Sequence, residues 1–106
     1  MAHMIWKYTN GFNPTEFATS LALSDSYTLA EDEKDLFVAF SCSAASKTLT
    51  LGLEAGQFMI VANIGASNAV TVAAIKDDSG TSVAAGKVAL VIGSATANAS
   101  KIYVLN

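Results

Sequence analysis

Nine carboxylates, six lysines, one cysteine and one histidine are the side chains in this 106-residue chain able to do acid–base, nucleophilic or metal chemistry. Their spacing argues against most of it. The only histidine, His3, falls in Met1-Ala2-His3-Met4, which reads as a cloning scar with a second start codon, so residues 1–4 are set aside. Without another histidine neither a Ser-His-Asp nor a Cys-His nucleophile can be built. The usual ligand set of a hydrolytic zinc is missing for the same reason. No Gly-x-x-x-x-Gly-Lys-Ser/Thr or Gly-x-Gly-x-x-Gly pattern occurs, which removes the phosphate-cradling loops. Two carboxylates meeting across a cleft would make a glycosidase pair, but a domain this small rarely encloses such a cleft. The expectation is a chain that is not an enzyme, with no catalytic residues, no cofactor and no metal.

The remaining candidates have simpler readings. Glu31, Asp32, Glu33, Lys34 and Asp35 form the only charge run and carry the whole net charge of -3. The run reads as a solvated turn, with a cation site or a partner contact as the alternative. Asp77-Asp78-Ser79-Gly80 lacks the spaced acids of a calcium loop and fits a hairpin turn. Cys42, the single cysteine, excludes an intrachain disulfide, and in Phe40-Ser41-Cys42-Ser43 it reads as a small buried hydrophobe, with a reactive thiol as the alternative. Asn98-Ala99-Ser100 matches the glycosylation acceptor pattern, a match expected by chance in a chain this rich in Ser, Ala and Asn.

The cations are isolated lysines with no arginine among them. Clustered phosphate contacts and bidentate base contacts are therefore not supported, and nucleic acid is not an expected partner. Apolar runs such as 36–40 and 88–92 have no more than five residues, against about 20 for a membrane-spanning helix. No membrane partner is expected, and the segment from Ile5 to Thr9 does not resemble a secretory signal. Yet the chain is 52% hydrophobic and only 14% charged, more apolar than a lone subunit of this size requires.

The elements that must position these residues are strands. In Lys47-Thr48-Leu49-Thr50-Leu51-Gly52-Leu53 the leucines share one face and the threonines the other, the alternation of a half-buried strand. The same period predicts strands near 36–41, 57–64, 69–75, 81–84, 87–92 and 101–105, with a further one at Tyr27-Thr28-Leu29. Connections this short point to antiparallel hairpins. Shifting the chain on itself by 21 pairs Phe37 with Phe58, Leu49 with Val70 and Leu51 with Val72. A shift of 30 lays Ala55-Gly56 on Ala85-Gly86. Fewer than four units at irregular offsets argue against a solenoid. The expected fold is all-β: an antiparallel β-sandwich or jelly-roll-like barrel of about seven to eight strands over residues 25–106, with an extended N-terminal arm over 5–24.

Several strands are apolar on both faces, whereas a lone sandwich needs one buried face per strand. Met59 and Val61 oppose Phe58 and Ile60; Tyr103 and Leu105 oppose Ile102 and Val104. The nineteen alanines, many in or beside strands, suit thin and closely approaching sheets. The arm holds the only Trp and the only Pro. Trp6, Tyr8 and Phe12 on the arm, with Met59, Val61 and Tyr103 in the strands, are the candidate interaction residues, since aromatic anchors are favoured at interfaces.

The stretch Asp35-Leu36-Phe37-Val38-Ala39-Phe40, the run Ala45-Ser46-Lys47-Thr48-Leu49-Thr50-Leu51, the run from Val83 through Gly86 to Val91 and the closing Ile102-Tyr103-Val104-Leu105 resemble small virion structural proteins of tailed phages and prophages. These are of the head-decoration, head-fibre or minor capsid type. The resemblance covers residues 25 to 106 through turns and strand patterns, with no diagnostic signature. It implies a β-sandwich forming a homo-oligomer, a trimer by preference, on a capsid or tail surface of the virion, and it carries over no catalytic residue. The rival expectation is a carbohydrate-binding or adhesion module of a larger bacterial surface protein, which would show a coplanar exposed pair from Trp6, Tyr8, Tyr27 or Tyr103.

Overall fold

The computed structural model describes residues 18–105 of the chain. They form nine strands: β1 (Ala18–Leu23), β2 (Tyr27–Thr28), β3 (Phe37–Cys42), β4 (Lys47–Thr50), β5 (Phe58–Asn63), β6 (Val70–Ala73), β7 (Thr81–Val83), β8 (Val88–Ile92) and β9 (Lys101–Leu105). The only helical element among these residues is a 3-10 turn at Glu31–Glu33. A five-stranded sheet runs in the order β1-β3-β5-β8-β9, and a four-stranded sheet in the order β2-β4-β6-β7.

The first six strands alternate between the two sheets, so each lies beside the strand two before it and parallel to it. Phe37 is level with Ile60 in one sheet and Lys47 with Val70 in the other, the same 23-residue step in both. This part of the chain winds as a short two-sheet coil. Antiparallel pairing enters only afterwards, through β6 with β7, β5 with β8 and β8 with β9. The wholly antiparallel sandwich or jelly-roll expected from the short connections is therefore corrected to two mixed sheets. A parallel crossover is normally long because the chain must return to the same edge. Here a strand of the opposite sheet makes the return, so short corners suffice and no crossover helix is needed.

The self-alignment at 21 was two residues short of the actual register, and two residues is one pleat period. A step of 21 therefore keeps the residues of one face together while misplacing their pairing. Leu49, Leu51 and Leu53 do share the inner face, each no more than 4% exposed. Between the sheets lies one core, with Val38, Phe40, Met59, Val61 and Val91 from the five-stranded sheet meeting Leu49, Val70, Val72 and Val83 from the other. Cys42 is buried with them, its thiol free.

Two corners of the chain are copies of one turn. Gln57 N–H donates to Glu54 O and Lys87 N–H to Ala84 O, each at 3.0 Å. The third residue of each is glycine, Gly56 at φ +81° and Gly86 at φ +82°, a left-handed position that a side chain would strain. The paired Ala-Gly signals in the sequence thus mark the turns that launch β5 and β8. At the start of the described chain, β1 pairs with β3 along its whole length. The last part of the expected arm, 18–23, is thereby an edge strand of the sheet, and residues 5–17 lie outside the described residues.

Candidate assembly surface

The two outward faces differ in chemistry. On the four-stranded sheet, Thr48, Thr71 and Ser82 lie level across β4, β6 and β7, with Thr28 and Thr50 level beside them. That face is a lawn of short hydroxyls, which water solvates well. On the five-stranded sheet the outward rows read Phe37, Ile60, Leu90, Tyr103 and then Ala39, Ala62, Val88, Leu105. Phe58, Ile92 and Lys101 form a third row, and Lys101 is the one charge on this face among the described strands. Phe58 is 40% exposed, Leu105 48% and Tyr103 53%, while Phe37, Ile60, Val88, Leu90 and Ile92 are half-buried. Gly56, Phe58, Leu90 and Ile92 line a shallow apolar depression in it. With strands about 4.8 Å apart and a rise of about 3.3 Å per residue, a sheet of this size spans on the order of 400 Å². The largest apolar patch on a single subunit is commonly of that extent and is often functional.

β9 is exposed on its inward side as well. Val104 is level with Ala89 of β8, which is level with Val61 of β5. Ala89 and Val61 are fully buried, yet Val104 is 41% exposed. Ile102, further along the strand, still packs against the core. β9 is the fifth strand over a sheet of four, so its far end overhangs.

Of the expected interaction residues, Tyr103 is on this surface. Met59 and Val61 are not: both are fully buried in the core, and the outward residues of β5 are their neighbours Phe58 and Ile60. A strand apolar on both faces gives no period by which to tell inside from outside. Asn63 made the choice harder, because it shares the face of Met59 and Val61 and is itself buried. Trp6, Tyr8 and Phe12 lie outside the described residues. Phe37, Phe58, Ile60 and Leu90 were missed as surface residues, although the double apolar alternation was the signal that contained them.

The polar candidates are held by local partners. Tyr27 donates its hydroxyl hydrogen to the Glu33 carboxylate, 2.7 and 2.9 Å from its two oxygens. That bond, with smaller contributions from desolvation and the nearby negative charge, raises the Tyr27 pKa above its ordinary value of 10.0. The Glu33 carboxylate also accepts from Ala30 N–H at 2.7 Å. Lys34 bridges Glu31 at 2.9 Å and Gly52 O at 3.0 Å. Asp35, buried, accepts from the Thr19 hydroxyl and so ties the acidic turn to β1. Asp78 accepts from Asn98 N–H at 2.5 Å while Asn98 Oδ1 accepts from Ser79 N–H at 2.7 Å, which locks two surface loops together. No group of three or more His, Cys, Asp or Glu among the described residues is placed to hold a metal ion.

Comparison with known proteins adds no relative. The chain matches no protein-family model, and neither a curated protein nor a solved structure is detectably similar to it. The reading of this surface rests on its own chemistry. Tyr27 belongs to β2 and Tyr103 to β9, edge strands of different sheets, so these two do not form the coplanar aromatic pair that sugar stacking requires.

Proposed function

We propose that this protein is a non-enzymatic structural subunit that associates with copies of itself through the apolar face of its five-stranded sheet. The observation that carries the reading is the contrast between the two outer faces. One is Thr and Ser, the other is Phe, Ile, Val, Leu and Tyr, and both are cut from the same short repeat. Solubility alone would favour hydroxyls on both. At about 25 cal/mol per Å², removing some 400 Å² of apolar surface from water favours association by on the order of 10 kcal/mol before the costs of ordering two bodies. The setting we propose is a phage or prophage particle, with the protein as a head-decoration, head-fibre or minor capsid component meeting capsid or tail proteins. That setting is supported by the resemblance in strands and turns and by the abundance of short, closely packing residues.

Light scattering over a concentration series tests the core of the proposal. A stable mass of two or more times 10.9 kDa is the expected result. A subunit that stays single at all concentrations and is retained on a glycan array would overturn it in favour of a carbohydrate-binding module.

A further inference from the structure

Resting on that reading of self-association, we infer an edge contact beside the face contact: β9 of one copy pairs antiparallel with β9 of a second, joining two five-stranded sheets into one of ten. The four sheet edges are unequal. β2 has two residues and β7 three, too short to template another chain. β1 presents small residues outward, Ser20 and Ala22. β9 offers five residues, Lys101 to Leu105, without Pro, Gly or an inward charge. Among the described residues no strand lies on its far side. Natural sheets normally protect such an edge with a charge, a bulge or a covering segment, because its free N–H and C=O groups recruit another strand; here the one charge, Lys101, stands at the start of the strand on its outer face, and residues 102–105 carry none.

A second copy is the occupant that the residues of β9 fit. An antiparallel pair centred on Tyr103 sets Tyr103 beside its own equivalent, Ile102 beside Val104, and Lys101 beside Leu105. The two lysines fall at opposite ends and never face each other, so the pairing has no like-charge penalty. Such a twofold contact needs no complementary patch elsewhere on the molecule. It also finishes the overhang: Val104, inward-facing yet 41% exposed, gains the Ile102 of the second copy as its neighbour. On the outer side the two Tyr103 rings, each 53% exposed, come together and make the two apolar faces continuous.

Val104→Lys tests this directly, since an inward charge on an edge strand blocks pairing. The expected result is an associated mass for the variant half that of the unaltered chain, with the same circular dichroism and the same melting temperature at low concentration. Tyr103→Cys on a Cys42→Ala background gives a readout that does not depend on the fold of the lysine variant. It should oxidise to a covalent dimer, whereas Lys101→Cys on that background should not, because its pairing neighbour is Leu105. An associated mass unchanged by Val104→Lys, a Tyr103→Cys chain that forms no covalent dimer on oxidation, or a trimeric mass would each overturn the β9 contact while leaving self-association standing. A single subunit at every concentration would overturn both.

Discussion

The side chain of Asn63, in the five-stranded sheet, donates through Nδ2 to the backbone carbonyl of Val83, in the four-stranded sheet, at 2.9 Å. The same amide nitrogen reaches Asn68 O at 2.9 Å, and Oδ1 accepts from Gly65 N–H at 3.0 Å. Asn63 is 1% exposed, so a single polar side chain bridges the two layers where the chain turns from β5 towards β6. Asn63→Leu keeps the volume but strips partners from two carbonyls and one N–H. The cost should be about 3 kcal/mol, seen as a lowered midpoint in urea. A loss below about 1 kcal/mol would mean that the corner does not depend on the amide.

Glycines separate backbone conformation from space. Gly56 has φ +81° with nothing near an added Cβ, whereas Gly80 has φ +79° and an added Cβ would lie 2.7 Å from Val72 O. Gly56→Ala should cost roughly 1 kcal/mol through conformation alone. Gly80→Ala should cost clearly more, about 2–4 kcal/mol, because a backbone carbonyl in β6 must move as well. Thermal melts of the pair decide this; equal losses would show that β6 gives way without resistance.

The outer faces should respond oppositely to charge. Phe58→Lys places an ammonium in the apolar rows, and Ser82→Lys places one among the hydroxyls of the other sheet. The first should weaken self-association measured by light scattering, and the second should leave it unchanged. Both residues are exposed, so the melting transition of each variant should move by no more than about 1 kcal/mol. Equal weakening by both would disconnect association from the apolar face.

Titration of Tyr27 checks the turn that follows β2. Its hydrogen bond to Glu33 favours the protonated phenol in the folded state and raises the pKa above 10.0. Whatever stability this gives is fully present below that pH and is lost as the pH rises through the folded value. Tyrosinate absorbance, taken as the difference from Tyr27→Phe, should show a late titration that moves back towards 10.0 in Glu33→Gln. Asp25 has the opposite sign. Its bond from Ser26 N–H, together with Lys47 at 3.2 Å, lowers its pKa from 3.8. Its contribution is present above that value and fades as the pH falls through the lower folded one.

Cys42, 7% exposed and part of the core, should react with a thiol reagent only as fast as the molecule opens. Its labelling rate should therefore rise with urea in step with unfolding. Rapid labelling in the native state would show β3 to be accessible from an end.

Much of this was legible because period two is a local property. The leucines at 49, 51 and 53, the Ala-Gly turns before β5 and β8, and the burial of Cys42 each follow from neighbours within a few residues. Parallel pairing was not legible, because it joins residues such as Phe37 and Ile60 across a whole turn of the coil. A wrong step of 21 preserved the same alternation as the true step of 23. Nor could Met59 be told from Phe58 as the inward residue, since both are apolar and only the position of the other sheet distinguishes them.

Strand content, the turns and an apolar surplus were determined by the sequence, since each follows from side-chain type and short-range steric preference. Strand order, the sense of pairing and which residues of each strand face outward were decided by tertiary structure alone. These depend on which layer lies against which, and a chain with two greasy faces on one strand acquires an inside only when the second sheet packs against it.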